Sequence, residues 1–280
     1  MNEYTNWHRC YCCDKLHGGG ETFRMKILVT NDDGVFAPSM RVLVKELRNV
    51  AQVVVVAPDR EQSAIGTAVT LRQPIRVQRL RPMVARVETY SVEGTPADSV
   101  ILALGKLVEG KIDMLVSGIN PGPNLGDNVL ISGTVGAALQ GYQHGLPSLA
   151  ISVGAPSNDN LKNAARLAAL LAQKIDSGLL HEDVFLNINL PDLPLTKIGG
   201  IEITELASGA YSDTVGEGDD GRRKYYWLLR EKINAKTNKK TDIGAIERGN
   251  ISITPLHTNL FHKPLLIPDN LCSDLFQELQ

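Results

Sequence analysis

Met25-Lys26-Ile27-Leu28-Val29-Thr30-Asn31-Asp32-Asp33-Gly34 sets the fold class. Ile27, Leu28 and Val29 form an uninterrupted apolar run, the pattern of a strand buried on both faces of a parallel sheet. In open α/β sheets the ligand crevice lies beyond the carboxyl ends of the strands. Two adjacent carboxylates, Asp32 and Asp33, stand where this strand must end. They repel each other unless a cation sits between them, and a hard divalent ion takes oxygen ligands of this kind. The same four residues, Asn-Asp-Asp-Gly, also make a good polar turn, with Gly34 free to adopt positive φ. The stretch alone is compatible with both.

Outward from it, strands and helices alternate. Ala37 to Arg48 carries Met40, Leu43, Val44 and Leu47 at helical spacing, with Pro38 in the first turn. Val53 to Val56 reads as a second buried strand. Ala68 to Leu71, Ile75 to Leu80 and Arg86 to Val92 alternate as antiparallel or edge strands do. Pro96 to Val108 reads as a helix, Met114 to Val116 as a strand, Thr134 to His144 as a helix, Leu149 to Val153 as a strand, Leu161 to Ile175 as a helix and Val184 to Leu190 as a strand. This predicts a Rossmann-like α/β fold, a doubly wound and mostly parallel sheet. The character changes near Ser208, where Gly, Asp and Arg accumulate. Tyr225 to Arg230 and Lys232 to Lys240 then read as an exposed hairpin, Thr241 to Arg248 as a short helix, Asn250 to Thr254 as a strand and Leu271 to Leu279 as a terminal helix. A protruding arm of this kind suits oligomer contacts. The expected division is an extension over 1–24, a catalytic core over 25–207 and an arm, return strand and terminal helix over 208–280.

The chain has 280 residues, 43% hydrophobic and 21% charged, which is ordinary globular composition. A net charge of −2 gives no basic face for a nucleic-acid duplex. No apolar run reaches membrane-spanning length, and no secretory signal is evident. Three of the four cysteines fall within the first 13 residues, which is no disulfide framework, so the body of the protein is expected to be cytoplasmic. Cys10, Cys12, Cys13, His8 and His17 could form a small zinc site, but adjacent Cys12 and Cys13 chelate awkwardly. A simpler reading is a start upstream of the native one. Gly20-Glu21 can be encoded by a purine-rich stretch about ten nucleotides before the Met25 codon, as a ribosome-binding site would be.

Three strand ends carry the chemistry. The first brings Asn31, Asp32 and Asp33, the second a loop with Ser63, and the third Asn120, followed by a Gly- and Asn-rich loop containing Asn124. Carboxylate, hydroxyl and amide oxygens form a hard shell suited to magnesium or manganese, and no histidine lies in these loops. Next, Ser132-Gly133-Thr134 opens a helix. The unpaired N–H groups of a first helical turn attract anions, although Ser132 or Thr134 could simply cap the helix. No Gly-Lys-Ser/Thr makes this a Walker loop, and Gly118, Gly122 and Gly126 lack dinucleotide spacing. A metal beside an anion-binding helix start points to a metal-assisted phosphomonoesterase.

Read together, these motifs strongly resemble the SurE family of survival-protein 5′/3′-nucleotidases. The resemblance rests on residues 27–34, Val56-Ala57-Pro58-Asp59-Arg60-Glu61-Gln62-Ser63, Gly94 to Val100, Ser117-Gly118-Ile119-Asn120, Ser132-Gly133-Thr134-Val135 and Thr241-Asp242 through Leu256. It implies hydrolysis of nucleoside 5′- and 3′-monophosphates, with short polyphosphate cleaved by some members. It implies one divalent ion per subunit, Mg2+ or Mn2+, on Asp32, Asp33, Ser63 and Asn120. Substrate contacts are implied at Asn31, Asn124, Ser132, Gly133 and Thr134. It also implies a homodimer or homotetramer built through an arm exchanged between subunits, matching residues 208–240. Ser39 stands where the family usually has Gly, and His257-Thr258-Asn259 replaces its usual acidic stretch.

A two-component receiver domain also pairs acidic residues after its first strand, but it needs an Asp and a Lys at later strand ends, and Ser117 and Val153-Gly154 stand there instead. A non-catalytic phosphate or nucleotide sensor on the same scaffold is the remaining alternative. For the chemistry, Asp32 and Asp33 are the expected catalytic residues. Direct attack by water is favoured over an aspartyl-phosphate, because both carboxylates are committed to the metal.

Overall fold

The structure, a computed structural model, describes residues 24–208, 211–232, 239–259 and 277. Eleven strands are present among them: β1 (Lys26–Thr30), β2 (Gln52–Pro58), β3 (Val77–Leu80), β4 (Glu88–Val92), β5 (Met114–Pro121), β6 (Ser148–Val153), β7 (Phe185–Leu190), β8 (Ile201–Ile203), β9 (Tyr211–Asp219), β10 (Lys224–Lys232) and β11 (Ile251–Pro255). The α-helices are α1 (Pro38–Leu47), α2 (Pro96–Leu102), α3 (Gly133–Gln143), α4 (Asn158–Asp176) and α5 (Asp242–Glu247).

β1 lies inside a nine-stranded sheet of order β3-β4-β2-β1-β5-β6-β7-β11-β8. Six strands from β4 to β7 run parallel. From β1 the chain first builds outward through β2 to β4, then returns to β1's other side as β5. That reversal puts a crevice between the carboxyl ends of β1 and β5, where such sheets bind ligands. The side chains of Ile27, Leu28 and Val29 are fully buried, each contributing about 2 kcal/mol. Ile27 and Val29 face α1 and α4. Leu28 faces the opposite way, toward α2 and α3. The sheet is thus the middle layer of three.

Several expectations need correction. Arg86 to Val92 is not an edge strand: β4 is interior, parallel to β2 on one side and antiparallel to β3 on the other. β3 is the antiparallel edge beside it. Ala68 to Leu71 forms no strand. Thr70 instead donates from N and Oγ1 to the two carboxylate oxygens of Asp98, at 2.8 and 2.7 Å. Asp98 is the third residue of the α2 capping box, accepting from Thr95 N while its own N–H donates to Thr95 Oγ1. A loop that satisfies a cap this way has no need of a ladder. The hairpin pairs Tyr225 to Arg230 with residues 213–218; of the second strand expected over Lys232 to Lys240, residues 233–238 lie outside the described residues. One of the glycines that read as loop, Gly218, receives a ring. Tyr225 lies opposite Gly218 and Trp227 opposite Gly216. A Cβ on Gly218 would stand 2.3 Å from the Tyr225 ring, the pairing known to accommodate aromatics beside strand glycines. β8, three residues long, carries no periodic signal. The terminal helix expected over 271–279 and the extension before Arg24 lie outside the described residues, Gln277 aside.

α3 sits unusually close to the loop after β2. A Cβ on Gly136 would fall 2.3 Å from the Gly66 carbonyl oxygen. Gly136→Ala would gain about 1 kcal/mol of helix propensity and lose about 1–3 kcal/mol to overpacking against rigid backbone. The clash wins, so the variant is expected to melt at lower temperature than the parent in a thermal unfolding scan. An unchanged or raised midpoint would contradict this packing.

Candidate metal and phosphate site

Asp32 and Asp33 occupy the turn that leaves β1. Gly34 closes it at φ +97°, and Asn31 Nδ2 donates to its carbonyl at 3.0 Å. Val35 N then donates to Pro58 O at 2.8 Å, tying the turn to the end of β2. The loop after β2 ties back, with Gln62 N donating to Asp32 O at 2.7 Å. Asp32 is 5% exposed. Its Oδ1 accepts from Thr134 Oγ1 at the first turn of α3. Gly133 lies so near that a Cβ there would meet Asp32 Cβ at 2.8 Å. The carboxylate and the helix start therefore share one surface, and any side chain at position 133 would separate them.

The electrostatics are uncompensated. Burial pushes the Asp32 carboxyl up, opposed by the Thr134 hydroxyl. Burial, with the charges of Asp32 and Glu61, pushes Asp33 up to about 7. Asp33 Oδ2 and Asn31 Oδ1 are buried without a hydrogen-bond partner. Orphaned buried oxygens of this sort are rare and call for an explanation. Among the described residues no three His, Cys, Asp or Glu side chains group to hold a metal, so an ion here would have to draw on hydroxyl and amide oxygens as well. That favours hard cations over zinc.

The other expected residues stand as follows. Ser63 is exposed, and its Oγ donates to Glu61 Oε1 at 2.6 Å. Glu61 is the residue whose charge bears on both aspartates. Asn120 lies near the end of β5, and its Nδ2 donates to Gly122 O at 2.7 Å. Ser132 is the N-cap of α3, accepting from Val135 N. Thr134 faces Asp32 with its hydroxyl. Asn31, Asp32, Gly133 and Thr134 thus form one contiguous group. Ser63 and Asn120 stand on the neighbouring strand-end loops, with side chains bonded locally.

Asn124 sits in a cradle that sequence reading missed. Its N–H donates to Asn189 Oδ1 at 2.8 Å. Its carbonyl accepts from Asn187 Nδ2 at 2.8 Å and Asn189 Nδ2 at 3.0 Å. Its own amide donates to Ser152 Oγ at 2.9 Å. Two residues on, Gly126 N donates to Asp242 Oδ2 at 2.7 Å. Asp242 Oδ1 accepts from Ala207 N and Ile243 N. Burial pushes Asp242 up, while the three N–H groups oppose the shift. Gly126 adopts φ +51°, and a Cβ there would strike Ala207 O at 2.6 Å. The signal available in the sequence was a pair of amides two residues apart, Asn187 and Asn189, on an otherwise apolar strand.

Two outcomes follow from this geometry. Asp242→Asn keeps an acceptor for Ala207 and Ile243 but turns an amide N–H against Gly126 N–H. The buried mismatch is expected to cost about 1–3 kcal/mol, read as a lower unfolding midpoint, and an unchanged midpoint would refute the clamp. For Asp33, a carboxyl raised from 3.8 to about 7 contributes stability that is fully present below 3.8 and is lost as the pH rises through about 7. In metal-free buffer the melting temperature of Asp33→Asn should therefore gain on that of the parent between those two pH values. A difference that does not vary with pH would contradict the burial of this charge.

Comparison with known proteins bears on the fold and on the family. A sequence model described as Survival protein SurE matches residues 27–213. The 5′-nucleotidase SurE of Dehalococcoides mccartyi (strain CBDB1) is 54% identical over 243 residues, covering 86% of this chain and 92% of that protein. The protein of the same name from Geobacter metallireducens is 44% identical over 238 residues, covering 84% and 92%. The crystal structure of the SurE protein from Aquifex aeolicus superposes with a TM-score of 0.72 at 34% identity, covering 90% of this chain and 99% of that one. With its β1 turn, its α3 start and most of its length matched, this chain belongs to the SurE family.

Proposed function

We propose that this chain is a nucleotidase that hydrolyses nucleoside 5′- and 3′-monophosphates to nucleoside and phosphate, using a divalent metal ion. The observation that carries the reading is the contact of Asp32 with the start of α3. A pair of adjacent carboxylates raised by burial and a helix N-terminus that favours anions share one surface. The names of the relatives supply the substrate class.

Asp32, Asp33, Ser63 and Asn120 would hold the ion, Mg2+ or Mn2+, one per subunit. The orphaned Asp33 Oδ2 and the all-oxygen donor set fit such a cation. When bound, the ion supplies charge neutralisation at the phosphate and acidifies water. The residues of the chain do the rest. Backbone N–H groups at Gly133 and Thr134 bind phosphate oxygens, and glycine at 133 keeps that approach open. The Thr134 hydroxyl fixes the orientation of Asp32. Ser132 holds the helix start in register by capping it. Asn31 and Asn124 border the substrate. A water oxygen bonds to phosphorus, the ester P–O bond breaks, and the Asp33 carboxylate, through the oxygen the ion does not use, takes the proton the water gives up. The nucleoside leaves through its ribose oxygen, which gains a proton from solvent. Among the exposed hairpin side chains, Val215, Tyr226, Trp227 and Leu228 are 64%, 58%, 65% and 85% exposed. Exposed apolar side chains on both faces of this arm support a homodimer or homotetramer assembled through it.

Phosphate release from AMP or another nucleoside monophosphate, with added Mn2+, tests the reading. The expected outcome is release that a chelator stops, that Mg2+ or Mn2+ restores, and that Asp32→Asn or Asp33→Asn abolishes without unfolding the chain. In ¹⁸O-water the label should appear in phosphate and not in protein. A folded chain that binds nucleotide but releases no phosphate would identify a sensor instead.

A further inference from the structure

A cavity of about 410 Å³ lies where Phe36, just past the carboxylate turn, and Asp59, at the start of the loop that follows β2, meet the β3–β4 edge. Phe36, Asp59, Arg76, Gln78, Ser91 and Glu93 line it. It borders the carboxylate turn directly. Phe36 is three residues beyond Asp33 and follows Val35, whose N–H is bonded to the end of β2. Asp59 opens the loop whose Gln62 N–H is bonded to Asp32 O. A Cβ on Gly34 would approach the Arg60 backbone to 3.1 Å, so turn and loop are in contact along their length.

The lining has a definite chemistry. Phe36 is 73% exposed, a large ring that packs into neither core. Asp59 Oδ1 is buried without a hydrogen-bond partner among the described residues, and the Arg60 guanidinium stands 3.5 Å from it. Ser91 contributes a hydroxyl from β4 and Gln78 an amide from β3. Arg76 at the rim is already paired with Glu93 at 3.3 Å. A phosphate would meet two carboxylates and no unpaired cation, so the cavity is not a second anion site. A planar heterocycle meets an aromatic face for stacking and a carboxylate, an amide and a hydroxyl for its edge.

We infer that this cavity, built between Phe36 and the β3–β4 edge, is the subsite for the nucleobase of the substrate, with Phe36 stacking on the ring and Asp59 accepting from an N–H of its edge. This rests on the nucleotidase reading above for the presence of a base at all. It makes Phe36 and Asp59 determinants of substrate choice, separate from the residues proposed to handle phosphate.

Steady-state kinetics with GMP and with ribose 5-phosphate, the same ester without a base, tests it. Phe36→Ala should lower the ratio of kcat/KM for GMP over that for ribose 5-phosphate about tenfold, the size of one base–aromatic stack, and should do so through KM. Phe36→Tyr, which keeps the ring, should restore the ratio. A ratio unchanged by Phe36→Ala overturns the assignment. Equilibrium titration with guanosine, which has no phosphate to lose, separates the two readings. Guanosine should bind the parent chain and bind Phe36→Ala about tenfold more weakly. If no nucleotide releases phosphate yet this difference persists, the subsite stands and the nucleotidase reading falls. If phosphate is released and guanosine binding does not differ, the subsite falls and the nucleotidase reading stands.

Discussion

Two like charges held side by side at the end of a buried strand are the constraint around which this molecule is organised. β1 is interior, so the turn that follows it cannot swing into solvent. Asp32 is nearly inaccessible and Asp33 half-buried. Desolvation then raises both carboxyls, and the charge of Asp32 raises Asp33 further. The protein answers with the Thr134 hydroxyl and the backbone N–H groups of Asp32 and Thr134. A site under this load is unfavourable in isolation, and the cation proposed for it would relieve that load. That is the usual relation between stored electrostatic strain and binding.

Around that turn the loops are fixed by backbone rather than by bulk. Gly133 lies against Asp32, Gly136 against Gly66 and Gly126 against Ala207. Each contact is closer than any side chain would permit. The buried amides of Asn187 and Asn189 hold the Asn124 peptide from both sides, and Asp242 holds Gly126. These hydrogen bonds compensate the burial of a loop that would otherwise carry unpaired N–H and carbonyl groups. The outcome is an irregular segment with the rigidity of a strand, placed at the reversal point of the sheet.

What could be read from the sequence divides along the same line. Runs such as Ile27 to Val29 and Val53 to Val56, and the apolar stripe of α4, carry their periodicity within a few residues, so the core elements were legible. So were the residue types of the candidate site, since Asp32, Asp33 and Ser132 to Thr134 form short contiguous motifs. Pairing was not. The parallel setting of β4 depends on β2, about thirty residues earlier, and the alternating glycines of β9 make sense only opposite Tyr225 and Trp227. The bond from Thr134 to Asp32 spans 102 positions, and those from Asn189 to Asn124 span 65. No local pattern encodes such partners. They come from the topology, which only the assembled sheet determines.

β11 has a place in that topology that bears on how the molecule comes together. It is inserted between β7 and β8, antiparallel to the first and parallel to the second. β8 precedes it by about fifty residues and joins the sheet only through it. On a ribosome, which delivers the chain from its amino end, β7 must wait as an open edge and β8 must wait unpaired until residue 255 has emerged. The same late segment brings Asp242, and so the last tie on Gly126. The hydrophobic layers can therefore close well before the crevice acquires its final shape. During that interval the exposed edge of β7 is open to pairing with another chain.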